Sequence, residues 1–173
     1  MSFRNDPLYE DKNLRGWFSI ALYMPKFLCN IGSLLRTATI FKAANVFTIG
    51  EERYKRQRSD VVHSELHLPI IHHETFESFF DHLPNCCDPV AIERSDMARD
   101  LMTMASPPRP CFIFGPEDGS LPDWVIKRCR YRAMLPGFPS LNLACCGSIV
   151  MYDFLSKSLK PKTFHKEDVY GKG

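Results

Sequence analysis

Short apolar runs and helically spaced apolar positions alternate along the chain. The runs have the length of buried strands and occur at residues 17–23, 46–49, 89–92 and 111–114. After the first run the period changes, and apolar residues recur at helical spacing as Ile31, Leu34, Leu35, Ala38 and Phe41. Apolar strands that alternate with helices are typical of a parallel sheet covered on both faces. The pattern therefore predicts an α/β fold with a mostly parallel sheet.

Four more helices are predicted further along the chain. One covers residues 76–83, where apolar residues again fall at helical spacing, and a short one covers residues 97–104. Ser120 and Pro122 are typical of a helix start, because a capping hydroxyl and an early proline both favour one. The last long helix is predicted over residues 141–157, which contain regularly spaced apolar residues.

Length and composition indicate one domain. We assign it to residues 15–160, with a polar N-terminal arm at residues 1–14 and a C-terminal tail at residues 161–173. A chain of 173 residues that is 45% hydrophobic and 24% charged is sufficient for a packed core. The net charge of +2 is too small to indicate a nucleic-acid partner by itself, so any basic surface must be local.

The cysteines favour reduced thiols in a cytoplasmic protein. Their number, seven, is odd, two adjacent pairs occur at residues 86–87 and 145–146, and no signal-like segment opens the chain. No CxxC spacing suggests zinc, and His72 and His73 have no companion ligands at a metal spacing, so no metal is expected. No apolar stretch reaches the roughly 18 residues that cross a bilayer, so we expect a soluble protein.

Asn30-Ile31-Gly32 and Arg36 lie where a loop enters the first predicted helix. In a purely structural interpretation, Asn30 caps the helix and Arg36 is a solvated surface residue. In a functional interpretation, Arg36 suits a site where a hydroxyl close to a phosphate loses its proton, since a guanidinium can form two parallel hydrogen bonds with phosphate and its charge favours the ionised hydroxyl. These residues alone leave both interpretations open.

Two further segments combine small and polar residues at predicted strand–helix junctions. Residues 114–119, Phe-Gly-Pro-Glu-Asp-Gly, follow a strand at the edge where parallel α/β sheets bind ligands. An ordinary turn would favour the same glycine, proline and aspartate, so Glu117 is the discriminating residue. Ser140-Leu141-Asn142 opens the last predicted helix, where Ser140 or Asn142 could equally be a cap.

In this order, the three segments closely resemble the signature motifs of the SpoU/TrmH branch of the SPOUT RNA methyltransferases. The resemblance covers residues 18–155 and is greatest to the small single-domain tRNA enzymes. It implies a deep C-terminal trefoil knot, S-adenosylmethionine as cofactor, and methyl transfer to a ribose 2′-oxygen of RNA, with tRNA favoured and rRNA as an alternative. It also implies a homodimer that builds each active site across its interface without metal.

The resemblance assigns roles to individual residues. Arg36 is the implied catalytic residue that activates the hydroxyl. The residues implied to hold Arg36 and the substrate in place are Asn30, Glu117, Ser140 and Asn142. The implied cofactor-binding residues are Ile92, Glu93, Gly115, Ala133, Met134, Leu135 and Leu141. Without the resemblance, Glu93 is equally well interpreted as a surface carboxylate at the end of a strand.

A basic run is expected to contact RNA together with Arg36. The run contains Arg53, Lys55, Arg56 and Arg58, with Tyr54 among them. Basic side chains interleaved with an aromatic residue suit an RNA backbone, although many charged runs are only solvated faces.

Two functions other than methyl transfer stay open at this point. The first is an RNA-binding protein that keeps the fold and has lost catalysis, and retention of the motif residues argues against it. The second is a hydrolase-like enzyme with a cysteine nucleophile such as Cys145 or Cys146. No accompanying His–Asp arrangement is visible in the sequence, and loss of activity with thiol-blocking reagents would favour this second alternative.

Overall fold

The computed structural model describes residues 16–50 and 68–158. The predicted arm at residues 1–14 and the tail at residues 161–173 lie outside this part, so what was expected of them stays a prediction. The same holds for the basic run, Arg53, Lys55, Arg56 and Arg58. No helix in the described part is long and apolar enough to cross a membrane.

The described residues form a seven-stranded sheet with four helices. The strands are β1 (Ser19–Tyr23), β2 (Val46–Ile49), β3 (Ile70–His73), β4 (Asp88–Ile92), β5 (Arg99–Asp100), β6 (Pro110–Phe114) and β7 (Tyr131–Met134). The helices are α1 (Leu28–Ile40), α2 (Phe76–His82), α3 (Asp123–Arg128) and α4 (Leu143–Ser158). The strand order is β3-β2-β1-β6-β4-β7-β5, and every pairing is parallel. The predicted α/β fold class is thereby confirmed.

The two faces of the sheet carry separate hydrophobic cores. Successive side chains of a strand point to opposite faces, and β6 shows the result. Phe112 and Phe114 pack with α1 and α4, whereas Cys111 and Ile113 pack with α2 and α3. Every residue of β6 is buried, because helices cover both of its sides. This explains why the strand appears in the sequence as a continuous apolar run.

The short helix predicted over residues 97–104 is wrong. This segment contains strand β5 followed by a turn. The Asp100 side chain accepts a hydrogen bond from the Met102 amide (2.9 Å), and the backbone carbonyl of Asp100 accepts one from the Thr103 hydroxyl (3.1 Å). The Leu101 amide donates to the carbonyl of Met134 in the neighbouring strand (2.9 Å). Residues 99–100 are therefore held in the sheet, and Asp100 organises a single turn after them that does not continue as a helix.

Other boundaries also differ from the prediction. Strands β3 and β7 are missed, because each has only one buried residue and so lacks a continuous apolar run. Helix α3 begins at Asp123, with Pro122 at the N-cap and no capping side chain, so Ser120 is not its cap. Helix α1 begins two residues before Asn30.

Helices α1 and α4 approach each other closely at Gly147. A Cβ atom added to Gly147 would lie 2.1 Å from Cδ1 of Leu34, whose side chain is fully buried. Beside this contact, the hydroxyl oxygens of Thr37 and Ser148 lie 3.2 Å apart. The absence of a side chain at Gly147 lets the two helices pack against each other along one face of the sheet.

Replacing Gly147 by alanine is expected to lower the free energy of unfolding by about 1–3 kcal/mol, because the added methyl group overpacks the contact with Leu34. At a helical position with free space, the same change stabilises the protein by up to about 1 kcal/mol. The sign of the change in unfolding free energy therefore distinguishes a close contact from an open position. Urea denaturation measures the difference. Cys145→Ala, at an exposed position of the same helix, is the control and should change stability little. A more stable Gly147→Ala protein would contradict the close-packing interpretation.

Candidate active site

A cavity of about 310 Å³ opens at the carboxyl ends of β4, β6 and β7. The loops after these strands line it, together with the first turns of α1 and α4. This is the edge where ligands bind in parallel α/β proteins, and the volume lies within the range of small-molecule sites. Six of the seven predicted cofactor residues line the cavity: Ile92, Glu93, Gly115, Met134, Leu135 and Leu141.

The Asn30 side chain connects the three motif segments. It is only 8% exposed. Its Nδ2 donates a hydrogen bond to Oε1 of Glu117 (3.1 Å), and its Oδ1 accepts one from Nδ2 of Asn142 (2.9 Å). Glu117 and Asn142 belong to loops that are far from Asn30 in sequence, so these two bonds hold three separate segments in one arrangement at the cavity.

Asn142 also caps helix α4. Its Oδ1 accepts hydrogen bonds from the backbone amides of Ala144 (2.9 Å) and Cys145 (3.4 Å). The amide group of one side chain thus serves the helix end with its oxygen and Asn30 with its nitrogen. The structural interpretation of Asn142 as a cap is correct, and it is compatible with a place in the site.

The Glu117 carboxylate lies at the N-terminus of α1. It accepts hydrogen bonds from the backbone amides of Lys26 (2.9 Å) and Phe27 (3.3 Å). Phe27 is the N-cap residue and has no capping side chain of its own, so Glu117 satisfies these amides from a distant loop. Partial burial alone would raise the pKa of Glu117, but the hydrogen bonds from Lys26, Asn30 and Phe27 outweigh it and lower the pKa below its ordinary value.

Glu93 joins the loops that follow β4 and β6. Its Oε2 accepts a hydrogen bond from the Leu121 amide (3.0 Å), and its backbone amide donates to the carbonyl of Ala133 (3.0 Å). A Cβ atom on Gly115 would lie 3.4 Å from Oε2 of Glu93 and 3.3 Å from the Leu121 nitrogen. Glycine at this position therefore leaves room for the carboxylate to reach the next loop. Glu93 has a definite structural role in addition to lining the cavity.

Two predicted residues fit their expected roles less directly. The Ala133 side chain is fully buried in the core and does not line the cavity, although the residue lies at the end of β7 beside it. Ser140 lines the cavity, is exposed, and makes no hydrogen bond with the residues described by the structure. The cofactor contact predicted for Ala133 and the substrate contact predicted for Ser140 stay predictions.

Arg36 lies apart from the cavity that the other predicted catalytic residues line. It follows Asn30 by six residues, which corresponds to about 9 Å along the helix axis. Its side chain is exposed, and Arg36 is not one of the helically spaced apolar positions of this helix. It makes no hydrogen bond or ion pair within the described part of the chain. A single chain therefore brings Asn30, Glu117 and Asn142 together but leaves Arg36 outside their cavity.

Sequence analysis assigns no role to Phe27 and Arg94, which also line the cavity. Phe27 precedes the first motif, and Arg94 directly follows Glu93. Their proximity to predicted site residues is the signal that could have identified them. Nothing in their spacing or composition distinguishes them from other loop residues.

The cavity does not favour a cysteine nucleophile. Cys146 lines it, but burial, with smaller effects of Cys145 and Glu93, raises the pKa of the Cys146 thiol to about 11. A thiol with this pKa is protonated and weakly nucleophilic near neutral pH. The residues that line the cavity include no histidine to act as a base.

No group of three or more potential metal ligands occurs among the described residues.

Comparison with known proteins identifies one family. The model of the SpoU rRNA methylase family matches residues 18–152. No curated protein sequence matches this chain significantly.

Several solved structures share the fold. An rRNA methyltransferase from Sinorhizobium meliloti is 22% identical, with a TM-score of 0.73 over 91% of this chain and 62% of its own. A structure that concerns 2-OH methylation of C/U34 on tRNA is 22% identical, with a TM-score of 0.69 over 83% of this chain and 97% of its own. A TrmH/SpoU tRNA modifying enzyme from A. aeolicus is 13% identical, with a TM-score of 0.72 over 83% and 77%. This chain thus spans about three fifths of the S. meliloti protein.

Changing Glu117 to glutamine is expected to reduce stability at pH 7 and to weaken its dependence on pH under acidic conditions. The folded-state pKa of Glu117 lies below its ordinary value of 4.5. Its ionised form therefore contributes stability that is complete above this value and is lost as the pH falls through the folded-state pKa. Urea denaturation between pH 7 and pH 3 should show the difference between wild type and variant shrinking on acidification.

Glu77→Gln is the matched control, because Glu77 is exposed on α2, on the other face of the sheet. It accounts for the general effect of removing one negative charge. A stability difference for Glu117→Gln that stays constant or grows as the pH falls would contradict the capping role of the carboxylate.

Proposed function

Because the chain belongs to the SpoU rRNA methylase family, we propose that it is an S-adenosylmethionine-dependent methyltransferase that acts on a ribose 2′-oxygen of RNA. The observation that carries this proposal is the hydrogen-bonded connection of Glu117, Asn30 and Asn142 at the cavity. The three segments that resemble the family motifs form one site rather than three unrelated turns. A site of this kind is suited to positioning a cofactor and an RNA ribose side by side.

The proposed RNA substrate is tRNA, with rRNA as the second candidate. The structure that concerns 2-OH methylation of C/U34 on tRNA matches this chain over 97% of its own length. The S. meliloti rRNA methyltransferase matches over only 62% of its length. The basic residues Arg53, Lys55, Arg56 and Arg58 are proposed to contact the RNA backbone.

The cavity has the chemistry that S-adenosylmethionine requires. Apolar side chains of Ile92, Leu135 and Leu141 suit an adenine ring, and the carboxylates of Glu93 and Glu117 suit a cationic sulfonium group. When bound, S-adenosylmethionine supplies an electrophilic methyl group. Gly115 has no side chain that would crowd the cavity where the Glu93 carboxylate reaches the next loop. The residues proposed to hold the cofactor are Ile92, Glu93, Gly115, Met134, Leu135 and Leu141. Ala133 is proposed to contact it through its backbone.

We also propose the trefoil knot that the family resemblance implies. β7 lies between β4 and β5 in the sheet, and α4 returns to pack against α1. The segment between β7 and α4 thus passes beside the loops after β4 and β6, which line the same cavity. This path is compatible with a chain end that is threaded through an earlier loop.

Arg36 is proposed to stabilise the negative charge that develops on the ribose oxygen as its proton leaves. Its guanidinium has no partner among the described residues, so it is available for phosphate and hydroxyl oxygens. Because Arg36 does not line the cavity of its own chain, we propose that it completes the cavity of a second copy in a two-fold dimer. Each dimer would then contain two sites.

The outer faces of α1 and α4 support this assembly. Apolar side chains there are about half exposed: Leu28 50%, Ile40 49%, Ile149 44% and Tyr152 64%. Apolar groups concentrated on two neighbouring helices are typical of an interface between copies of a chain. Arg36 is on α1, so a contact through this face would bring it close to the other copy.

The dimer proposal predicts a mass of about twice that of one chain by light scattering. Tyr152→Asp should shift the protein towards the monomer, because burying an unpaired carboxylate in the interface is unfavourable. Met102→Asp is the control, since Met102 is 68% exposed but lies in the turn after β5. A strict monomer that transfers methyl groups to RNA would contradict the shared site.

Arg36→Ala is expected to lower single-turnover methyl transfer to RNA by on the order of 10²-fold or more, the usual scale for losing a positioned electrostatic or proton-transfer group. The melting temperature should change little, because the side chain is exposed. Arg36→Lys should restore little activity, since lysine lacks the planar, two-pronged guanidinium. Transfer is measured with labelled S-adenosylmethionine and saturating total tRNA or total rRNA.

Calorimetry with S-adenosylhomocysteine, without added metal, supplies the control and should give the same affinity for wild type and Arg36→Ala. Mixed dimers of Arg36→Ala and Asn142→Ala test the shared site, because one chain then supplies the arginine and the other an intact cavity. Recovered transfer in the mixture supports it. Wild-type rates in Arg36→Ala would refute the catalytic role, and absence of cofactor binding to the wild-type chain would refute the proposed function.

A further inference from the structure

We infer that Phe138, with Arg94 beside it, forms an aromatic surface at the cavity mouth that stacks on the base of the nucleotide to be methylated. This inference rests on the proposed function and concerns how the same site recognises its RNA. It assigns a role in substrate binding to two residues that lie outside the motifs.

Phe138 is placed where a ligand can reach it. It is 89% exposed, the highest value among the large hydrophobic side chains of the described residues. The cavity is lined by Gly137 and Pro139 on either side of it, but not by Phe138 itself. The ring therefore lies at the rim and is directed away from the interior. An aromatic ring with so little contact contributes nothing to the core, so its surface is available to a partner.

The Arg94 guanidinium lies over this ring. Its central carbon is 5.5 Å from the ring centroid of Phe138, within the range of cation–π contacts. Arg94 lines the cavity and directly follows Glu93, whose carboxylate and amide bind the neighbouring loops. The contact therefore joins the loops after β4 and β7 at the mouth. It orients the ring without burying it.

An RNA base fits this surface better than an apolar protein side chain. RNA bases stack on aromatic rings and on arginine planes, and here the two groups are within cation–π distance of each other. An apolar partner that covered the ring would also have to cover the Arg94 guanidinium, which is costly. Under the proposed function, the reacting ribose must reach the cavity that Ser140 and Asn142 line. The base attached to that ribose then lies at the mouth.

The experiment compares Phe138 variants in methyl transfer to total tRNA and total rRNA. Phe138→Ala should raise KM for the RNA by about tenfold or more, the scale of losing one base–aromatic stack. Phe138→Trp should preserve KM because it keeps an aromatic face, whereas Phe138→Leu should behave like alanine although it stays apolar. Affinity for S-adenosylhomocysteine and the mass in solution should be the same in all variants.

The contact with the base itself is tested with an abasic substrate, after the methylated position has been mapped. Removing that base should weaken binding to wild type as much as Phe138→Ala does, and combining both changes should add little. Additive losses would overturn the stacking proposal, and so would a normal KM in Phe138→Leu. A change of mass in Phe138→Ala would instead assign the ring to an interface between copies. Unaltered transfer by Phe138→Ala overturns the stacking proposal alone, whereas absence of transfer by the wild-type chain overturns the proposed function as well.

Discussion

The buried side chain of Asn30 is the contact on which the arrangement of the site depends. Leaving a buried side-chain amide without its hydrogen-bond partners costs about 1–3 kcal/mol. Asn30, in the first turn of α1, bonds with its nitrogen to one loop and with its oxygen to another. Each partner also serves a helix: Glu117 satisfies amides at the start of α1, and Asn142 satisfies those at the start of α4. Moving either loop would leave polar groups unsatisfied at one helix end and on Asn30, so the two loops and the first turn of α1 are held in one geometry.

The parallel sheet explains why these loops meet at all. β6, β4 and β7 are neighbours in the sheet although they are not consecutive in the chain. Their carboxyl ends therefore open on the same edge, and the segments that follow them line one cavity. Glu93 links two of these loops, because its carboxylate accepts a hydrogen bond from the Leu121 amide beside Gly115. The fold supplies the position of the site, and a few side-chain hydrogen bonds supply its shape.

The elements with the strongest burial were the ones that could be predicted from the sequence. β1, β2, β4 and β6 are largely buried and appear as continuous apolar runs, whereas β3 and β7 have one buried residue each and carry no such signal. That Asn30, Glu117 and Asn142 belong to one site was predicted from the motif resemblance alone. Their spacing in the sequence indicates only a local cap or turn at each. The exposure of Phe138 follows from the position of its loop in space, which spacing along the chain does not encode. The separation of Arg36 from the cavity follows from helix geometry once Asn30 is placed there, because six helical residues span about 9 Å.

The hydrogen bonds to distant loops also bear on the order in which the chain folds. The Lys26 amide at the start of α1 meets its acceptor 91 residues later, and Asn30 meets Asn142 across 112 residues. Closing loops of this length is slow, because the chain loses conformational entropy before the stabilising contact forms. The amides at the start of α1 obtain their Glu117 acceptor only after the loop that follows β6 has reached them. The site is therefore complete only when these long-range contacts have formed, and a molecule that lacks them lacks the geometry for the chemistry.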